Sequence, residues 1–109
     1  MIAAHPYAPG DETPLRAMRR IWHERELLCD LIHRYELFNR REVFAWVAAE
    51  ELPPVASGDF HCKQHLSSWK TLLPCDHDAG AVVEYLRSRG PVFLTPFAVG
   101  QAARLPVAA

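Results

Sequence analysis

The sequence predicts an all-α fold: a small orthogonal bundle of three to four helices, with an extended N-terminal arm and an irregular apolar C-terminal tail. Apolar residues recur at intervals of three and four over three long stretches, which is the spacing of one helix face. Prolines follow the second and third of these stretches, at Pro53-Pro54 and Pro74. The 109 residues, 50% hydrophobic and 23% charged, fit one globular domain.

The arm covers residues 1–13, in which prolines and a glycine disfavour regular structure. Thr13 followed by Pro14 is typical of a helix start, because the threonine caps and the proline needs no hydrogen-bond partner there. The longest helix is therefore predicted at about 14–36. Its apolar positions are Leu15, Met18, Ile21, Trp22, Leu28, Leu31, Ile32 and Tyr35.

A second helix, about 40–52, is predicted from a capping box. Asn39 is expected to cap the amide of the third residue after it, and Glu42 to reach back. Pro53 and Pro54 would end this helix. Its predicted inward positions are Val43, Phe44, Val47 and Ala48.

A third helix, about 60–73, is expected between the capping residue Asp59 and Pro74. A shorter fourth helix would run through 79–89, capped by Asp76 or Asp78, with Gly90 as the left-handed residue at its end. The helical domain then covers residues 14–90. The tail, residues 91–109, shows no clear periodicity and is apolar enough to pack on the helices or on a partner.

Charge and composition argue against several functional classes. With 12 Lys and Arg against 13 Asp and Glu, the chain has no strong field to attract nucleic acid. It also lacks an apolar run long enough to cross a membrane and a signal-peptide core. Three cysteines cannot all pair, and none lies in a C-x-x-C motif. Free thiols or metal ligands in a cytoplasmic protein are therefore expected.

The candidate metal ligands are His61 and His65, which lie four residues apart and would share one face of the third helix. Cys62 would point about 100° away from them on the same helix. No acidic residue follows His61 as in the zinc-peptidase motif H-E-x-x-H. The alternative is an ordinary packed or exposed pair. Further ligands from beyond Pro74 would be Cys75, His77 or Asp78.

Catalytic residues are not indicated by the sequence. Cys29 with His33, and Cys75 with His77, lack a recognisable nucleophile context. The large aromatic side chains are instead candidates for a partner interface, or alternatively for the core, since such residues anchor interfaces. These candidates are Trp22, Phe38, Trp46 and Trp69.

Residues 14–73 resemble the helical N-terminal half of nitrile hydratase β subunits, the small activator proteins of that family, and a β-type subunit of thiocyanate hydrolase. The best match is Phe38-Asn39-x-x-Glu42 before a helix that ends in Ala48-Ala49-Glu50. A second match is Leu66 with Leu72-Leu73, as in the family's "WLxxLExLL".

The chain departs from this family pattern at several positions. His61, Cys62 and His65 stand at the family's Tyr-Tyr-x-x-Trp positions, Lys70 replaces its acid, and Trp69 restores some aromatic volume. The resemblance therefore implies a substituted packing face as the default interpretation of the two histidines. A role in metal handling would be specific to this chain.

The function implied by the resemblance follows from two further departures. The chain lacks the Cys-x-x-Cys-Ser-Cys motif of the catalytic α-type subunit, and Ala49 stands where β subunits carry an arginine. The resemblance thus implies a non-catalytic activator that binds the α-type subunit and assists insertion of cobalt or iron, with no tightly bound cofactor. The alternatives are a structural β-type subunit, or a helical interaction or regulatory module unrelated to the family.

Overall fold

The protein has an α/β fold, and the predicted all-α bundle is wrong. The computed structural model describes residues 1–8, 10 and 16–98. Along the chain lie β1 (Ile2–Ala3), α1 (Arg16–His23), β2 (Arg34–Phe38), α2 (Ala45–Ala49), β3 (Pro54–Ala56), a 3-10 helix (Lys63–Leu66), β4 (Ser68–Leu72), α3 (Ala79–Ser88) and β5 (Phe93–Phe97).

Strands β1, β2 and β3 form a parallel sheet with β2 in the centre. Ala3 pairs with Tyr35, and Tyr35 pairs in turn with Pro54. A register irregularity follows between Glu36 and Phe38. Because all three strands run in one direction, their carboxyl ends meet at one edge of the sheet. Loops at this edge of parallel sheets commonly carry binding sites.

Strands β4 and β5 form a separate antiparallel pair, in register from Ser68 opposite Phe97 to Leu72 opposite Phe93. Thr71 connects this pair to the parallel sheet. Its hydroxyl accepts a hydrogen bond from the Ala56 amide at 2.7 Å and donates one to the Ala56 carbonyl at 2.8 Å. One side chain therefore takes the place of a backbone ladder between β3 and β4.

The core lies on one face of the parallel sheet, against α1 and α2. Tyr35 and Val47 are among its most buried members, and Trp46 packs at its margin. The Trp46 ring meets the Trp22 ring edge to face at 4.8 Å, and its indole N–H donates to the Pro6 carbonyl. The buried cluster contains Ala3, Ile32, Tyr35, Phe44 and Val47.

Helix α3 is held to the opposite face of β2 by Arg34, which is only 1% exposed. Its guanidinium donates to the carbonyls of Leu86, Tyr85 and Gly90 at 3.1, 3.3 and 2.7 Å. Burial lowers the pKa of Arg34 from its ordinary value, yet an arginine stays charged in proteins. A cation here satisfies carbonyls at the C-terminal end of the helix. Its positive charge also interacts favourably with the negative end of the helix dipole.

The first predicted helix, 14–36, is too long. Helix α1 ends at His23, turns follow, and Tyr35 belongs to β2. In the stretch RYELF, the charged Arg34 and Glu36 alternate with the apolar Tyr35 and Leu37, which is the period of a strand. The longer apolar pattern hides this short alternation. Thr13 and Pro14 lie outside the described residues.

The second predicted helix, 40–52, shrinks to the five residues of α2. The predicted cap does form, since Asn39 Oδ1 accepts hydrogen bonds from the amides of Arg41 and Glu42, both at 2.9 Å. It closes a turn, however, and the helix begins only after Phe44, whose side chain does not cap it. Val43, predicted to face inward, is 62% exposed.

The third predicted helix, 60–73, is also wrong, because this stretch holds the short 3-10 helix and strand β4. The fourth helix is confirmed as α3. Asp78 caps it by accepting from the Gly80 amide at 2.8 Å. The left-handed residue is Arg89, with φ 58°, in place of Gly90. A Cβ at position 90 would lie 2.8 Å from the Tyr85 hydroxyl, so a larger residue there would displace the end of that side chain.

The two ends of the chain also differ from the prediction. Ile2–Ala3 in the expected arm pair with β2, and Phe93–Phe97 in the expected irregular tail form β5. Residues 9, 11–15 and 99–109 lie outside the described part of the chain. Within the described part, every helix is too short or too polar to cross a membrane.

We predict that Arg34→Met destabilises the protein by about 2–4 kcal/mol, because three carbonyls lose their buried charged donor. Urea unfolding followed by circular dichroism measures this loss. The matched control is Arg41→Met at an exposed position, with a change within about 0.5 kcal/mol. Equal losses in both variants would contradict the role of Arg34 in holding α3.

Candidate functional site

Ionisable side chains gather at the carboxyl edge of the parallel sheet. His5 follows β1, Glu36 lies in β2, and Asp59 and His61 follow β3. Glu42 reaches the same place from the turn before α2. These five residues are called the strand-end cluster below. The sheet thus brings together residues that lie up to 56 positions apart in the chain.

Glu36 joins the loops of the cluster. Its carboxylate is only 3% exposed. Oε2 accepts a hydrogen bond from the His5 amide at 2.9 Å, and the Ser57 hydroxyl donates to Oε1. Ser57 Oγ in turn accepts from the Asp59 amide at 3.3 Å. Because donors from both loops occupy its two oxygens, Glu36 positions the other members of the cluster.

His5 and Asp59 face each other across the cluster. His5 Nε2 lies 3.6 Å from Asp59 Oδ1. Two ligand atoms about 2.1 Å from a tetrahedral metal ion are about 3.4 Å apart, so this pair is close to a ligand separation. Both residues have left-handed backbones, with φ 46° and 42°. Unusual backbone conformations of this kind are common at functional sites.

His61 lies beside Asp59, and its ring nitrogens have distinct roles. Nδ1 is 2.8 Å from the Asp59 carbonyl, to which it donates a hydrogen bond. In the neutral ring the lone pair is therefore on Nε2, as in many metal-binding histidines. The His61 side chain is 71% exposed, so this nitrogen is accessible.

His65 is differently bonded. Its Nδ1 lies 3.0 Å from the His61 backbone amide nitrogen and 3.2 Å from the Asp59 carbonyl oxygen. The amide makes the shorter contact and can only donate, so we assign the proton of the neutral ring to Nε2. The two rings lie 6.0 Å apart, but His61 precedes the 3-10 helix, and the predicted shared helix face does not exist. The structure therefore brings the predicted pair together. His61 is the better metal ligand of the two, because the lone pair of its neutral ring is on the exposed Nε2.

Complete metal sites do not occur among residues 1–8, 10 and 16–98, where no three His, Cys, Asp or Glu side chains are arranged to hold an ion as they stand. Cys75, His77 and Asp78 precede or cap α3. Cys75 instead lines an open groove of about 430 Å³ along that helix. A metal at the strand-end cluster would thus require a side chain to rotate.

Glu42 is held by three donors. The Tyr7 hydroxyl donates to Oε1 at 2.7 Å, while the Asn39 amide and His5 Nδ1 lie 2.9 and 3.4 Å from Oε2. The Asn39 hydrogen bond lowers the pKa of Glu42 most. Partial burial opposes this effect, and Tyr7 and His5 lower the pKa further.

Two cations border the cluster. Arg40 Nη2 lies 3.4 Å from Asp59 Oδ2. Its buried Nε finds no hydrogen-bond partner within the described part of the chain. The Lys70 ammonium is close to the same loop, since a Cβ at Gly58 would lie 3.5 Å from its Nζ. The edge of the cluster therefore carries two positive charges, while the Nε–H of Arg40 is buried.

The predicted interface aromatics form two pairs within the chain. Trp22 packs on Trp46, and Phe38 stacks on Trp69 with ring centres 4.3 Å apart. All four are half-buried. The ring of Trp46 contacts both Trp22 and Tyr35. A partner at these residues stays a prediction.

The chain matches no model of a known protein family and no curated protein sequence. These comparisons leave the resemblance to nitrile hydratase β subunits and activators untested. The helical architecture that it implied for residues 14–73 is nevertheless wrong, and nothing in the fold supports an association with nitrile hydratase or cobalt.

Sequence reasoning found His61 and missed His5, Glu36 and Asp59 as site residues. The signal that could have found His5 and Asp59 is the position of polar residues soon after short apolar runs. Each of the short apolar runs at 2–4 and 54–56 is followed within a few residues by a polar group. Read as buried parallel strands, these runs would have placed His5 and Asp59 at one sheet edge.

We predict that Glu42 makes stability sensitive to acid. Its pKa is lowered in the folded protein, so its contribution is present above the unfolded pKa, about 4.3, and is lost as pH falls through the folded pKa. The difference in free energy of unfolding between wild type and Glu42→Gln should therefore shrink from about pH 6 to about pH 3.

Urea unfolding at several pH values measures this difference. The exposed Glu84→Gln is the matched control, with a difference that changes little over the same range. A difference for Glu42→Gln that is independent of pH would contradict the prediction.

Proposed function

We propose that the strand-end cluster binds a divalent metal ion through His5, Asp59 and His61, and that the bound ion activates water to hydrolyse an anionic substrate. The observation that carries this proposal is the approach of His5 Nε2 to Asp59 Oδ1 at 3.6 Å, beside His61. Two imidazoles and a carboxylate form a ligand set suited to zinc, manganese or iron.

Completion of the ligand set needs one movement. The Nε2 of His61 must turn toward the Asp59 carboxylate, which breaks the hydrogen bond from Nδ1 to the Asp59 carbonyl, and the side chain is 71% exposed and so has room to rotate. Exposed side chains change rotamer on a timescale of picoseconds to nanoseconds. Three protein ligands leave further positions for water and substrate, which is typical of catalytic metal sites.

Hydrolysis is the chemistry that such a centre supports. A bound divalent ion lowers the pKa of a coordinated water and polarises an ester oxygen. Arg40 and Lys70 at the border add positive charge where an anionic substrate would enter. Guanidinium groups bind phosphate oxygens with matching geometry. A phosphate ester is therefore the substrate class that we propose.

A cytoplasmic location is proposed with this function. All three cysteines are free thiols, and Cys29 and Cys62 are exposed. Exposed free thiols persist in reducing compartments.

We predict that Mn²⁺ binds the wild-type protein, and that His5→Ala, Asp59→Ala and His61→Ala each weaken binding at least about tenfold. Calorimetric titration measures the affinity, and Mn²⁺ is chosen because it does not favour thiolate ligands such as Cys62.

The controls for this titration are His65→Ala and His77→Ala, which should bind Mn²⁺ as the wild type does. No binding by the wild type would overturn the proposal. Equal losses in His61→Ala and His65→Ala, with none in His5→Ala, would instead favour the pair predicted from the sequence.

We predict that the Mn²⁺-loaded protein hydrolyses p-nitrophenyl phosphate or bis(p-nitrophenyl) phosphate. Arg40→Met should lower kcat/KM about 10–100-fold, because the substrate loses a charged hydrogen-bond donor. Mn²⁺ affinity should stay close to that of the wild type. Release of p-nitrophenol measures the rate, and the exposed Arg41→Met is the control. A metal-loaded protein inactive on both esters would contradict the hydrolytic part of the proposal.

A further inference from the structure

We propose that Glu42 is a positioning residue, which fixes His5 in the tautomer with its proton on Nδ1 and its lone pair on Nε2. This inference rests on the proposed function, because Nε2 is the atom that faces Asp59 and would ligate the metal. Glu42 would therefore contribute to metal binding without contacting the ion itself.

The geometry is a chain of contacts through the His5 ring. Glu42 Oε2 lies 3.4 Å from Nδ1 on one side of the ring, and Asp59 Oδ1 lies 3.6 Å from Nε2 on the other. A carboxylate accepts hydrogen bonds and cannot donate them when ionised. Metal-binding histidines commonly donate their second ring nitrogen to a carboxylate, which fixes the tautomer and increases ligand basicity.

A competing donor to His5 Nδ1 is the side-chain amide of Asn39, whose Nδ2 lies 3.3 Å away. The same Nδ2 lies 2.9 Å from Glu42 Oε2. With the 3.4 Å contact between Glu42 and His5, the three atoms form a nearly equilateral triangle. Its angle of about 65° at Nδ2 is far below the roughly 120° between the two hydrogens of an amide nitrogen.

The two Asn39 hydrogens can therefore serve both atoms only through bent hydrogen bonds, which are weaker than straight ones. The shorter contact, to a charged acceptor, is the stronger one, so the amide donates to Glu42. The orientation of Asn39 is itself fixed, because Oδ1 accepts from two backbone amides. This leaves His5 Nδ1 as a donor to Glu42.

Glu42 is held firmly enough to position another residue. The Tyr7 hydroxyl binds its other oxygen at 2.7 Å. The Tyr7 ring packs edge to face on the buried Phe44 with ring centres 5.4 Å apart. Contacts therefore lead from the core through Tyr7 to Glu42 and then to His5.

The test is the tautomer of His5, read from ¹⁵N chemical shifts of histidine-labelled apo protein at about pH 8, where an ordinary imidazole is neutral. His5→Gln identifies the resonance. We expect Nδ1–H in the wild type and a shift toward Nε2–H in Glu42→Gln. Glu84→Gln, at an exposed position on α3, is the control and should keep the wild-type tautomer.

Mn²⁺ titration completes the test, with a loss of about 10–100-fold expected for Glu42→Gln. A wild-type His5 protonated on Nε2 would overturn the inference whatever the metal result, even if the variant failed to fold. Nδ1–H in a wild type that binds no Mn²⁺ would support the positioning role and overturn the proposed metal site. An unchanged tautomer in folded Glu42→Gln would also overturn the inference.

Discussion

The buried carboxylate of Glu36 is the contact on which the strand-end cluster depends. It lies in the central strand and receives donors from the loops after both neighbouring strands, through the His5 amide and the Ser57 hydroxyl. Burying a charge costs free energy unless it is well hydrogen bonded, so these loops must adopt conformations that supply the donors. The left-handed backbones of His5 and Asp59 are part of those conformations.

The side chains of strand β2 alternate between the two faces of the sheet and hold structure on both of them. Arg34 and Glu36 point to one face, where the first holds the end of α3 and the second holds the cluster loops. Tyr35 lies between them and points to the opposite face, into the core. Because the period of a strand is two, a shift of one residue would exchange these roles. Two buried charged side chains and one buried aromatic thus fix the register.

The sequence predicted those features that depend on near neighbours. The Asp78 cap and α3 follow from residues within about one turn, and Asn39 does bind the amides of Arg41 and Glu42. The parallel strands have five residues or fewer and are stabilised by pairings more than 15 positions apart, so local periodicity does not reveal them. The same limit applies to the site. His61 stood out by local spacing, while His5 was brought to it only by the sheet.

The charges of the strand-end cluster favour a cation over an anion as its first ligand. Three carboxylates approach His5, and Arg40 lies 3.4 Å from one of them, Asp59. Like charges raise one another's pKa, yet the pKa of Glu42 is lowered, first by the Asn39 hydrogen bond and then by Tyr7 and His5. A divalent ion would offset the remaining repulsion. An anionic substrate would then be attracted by the bound ion together with Arg40, so metal binding has to precede substrate binding.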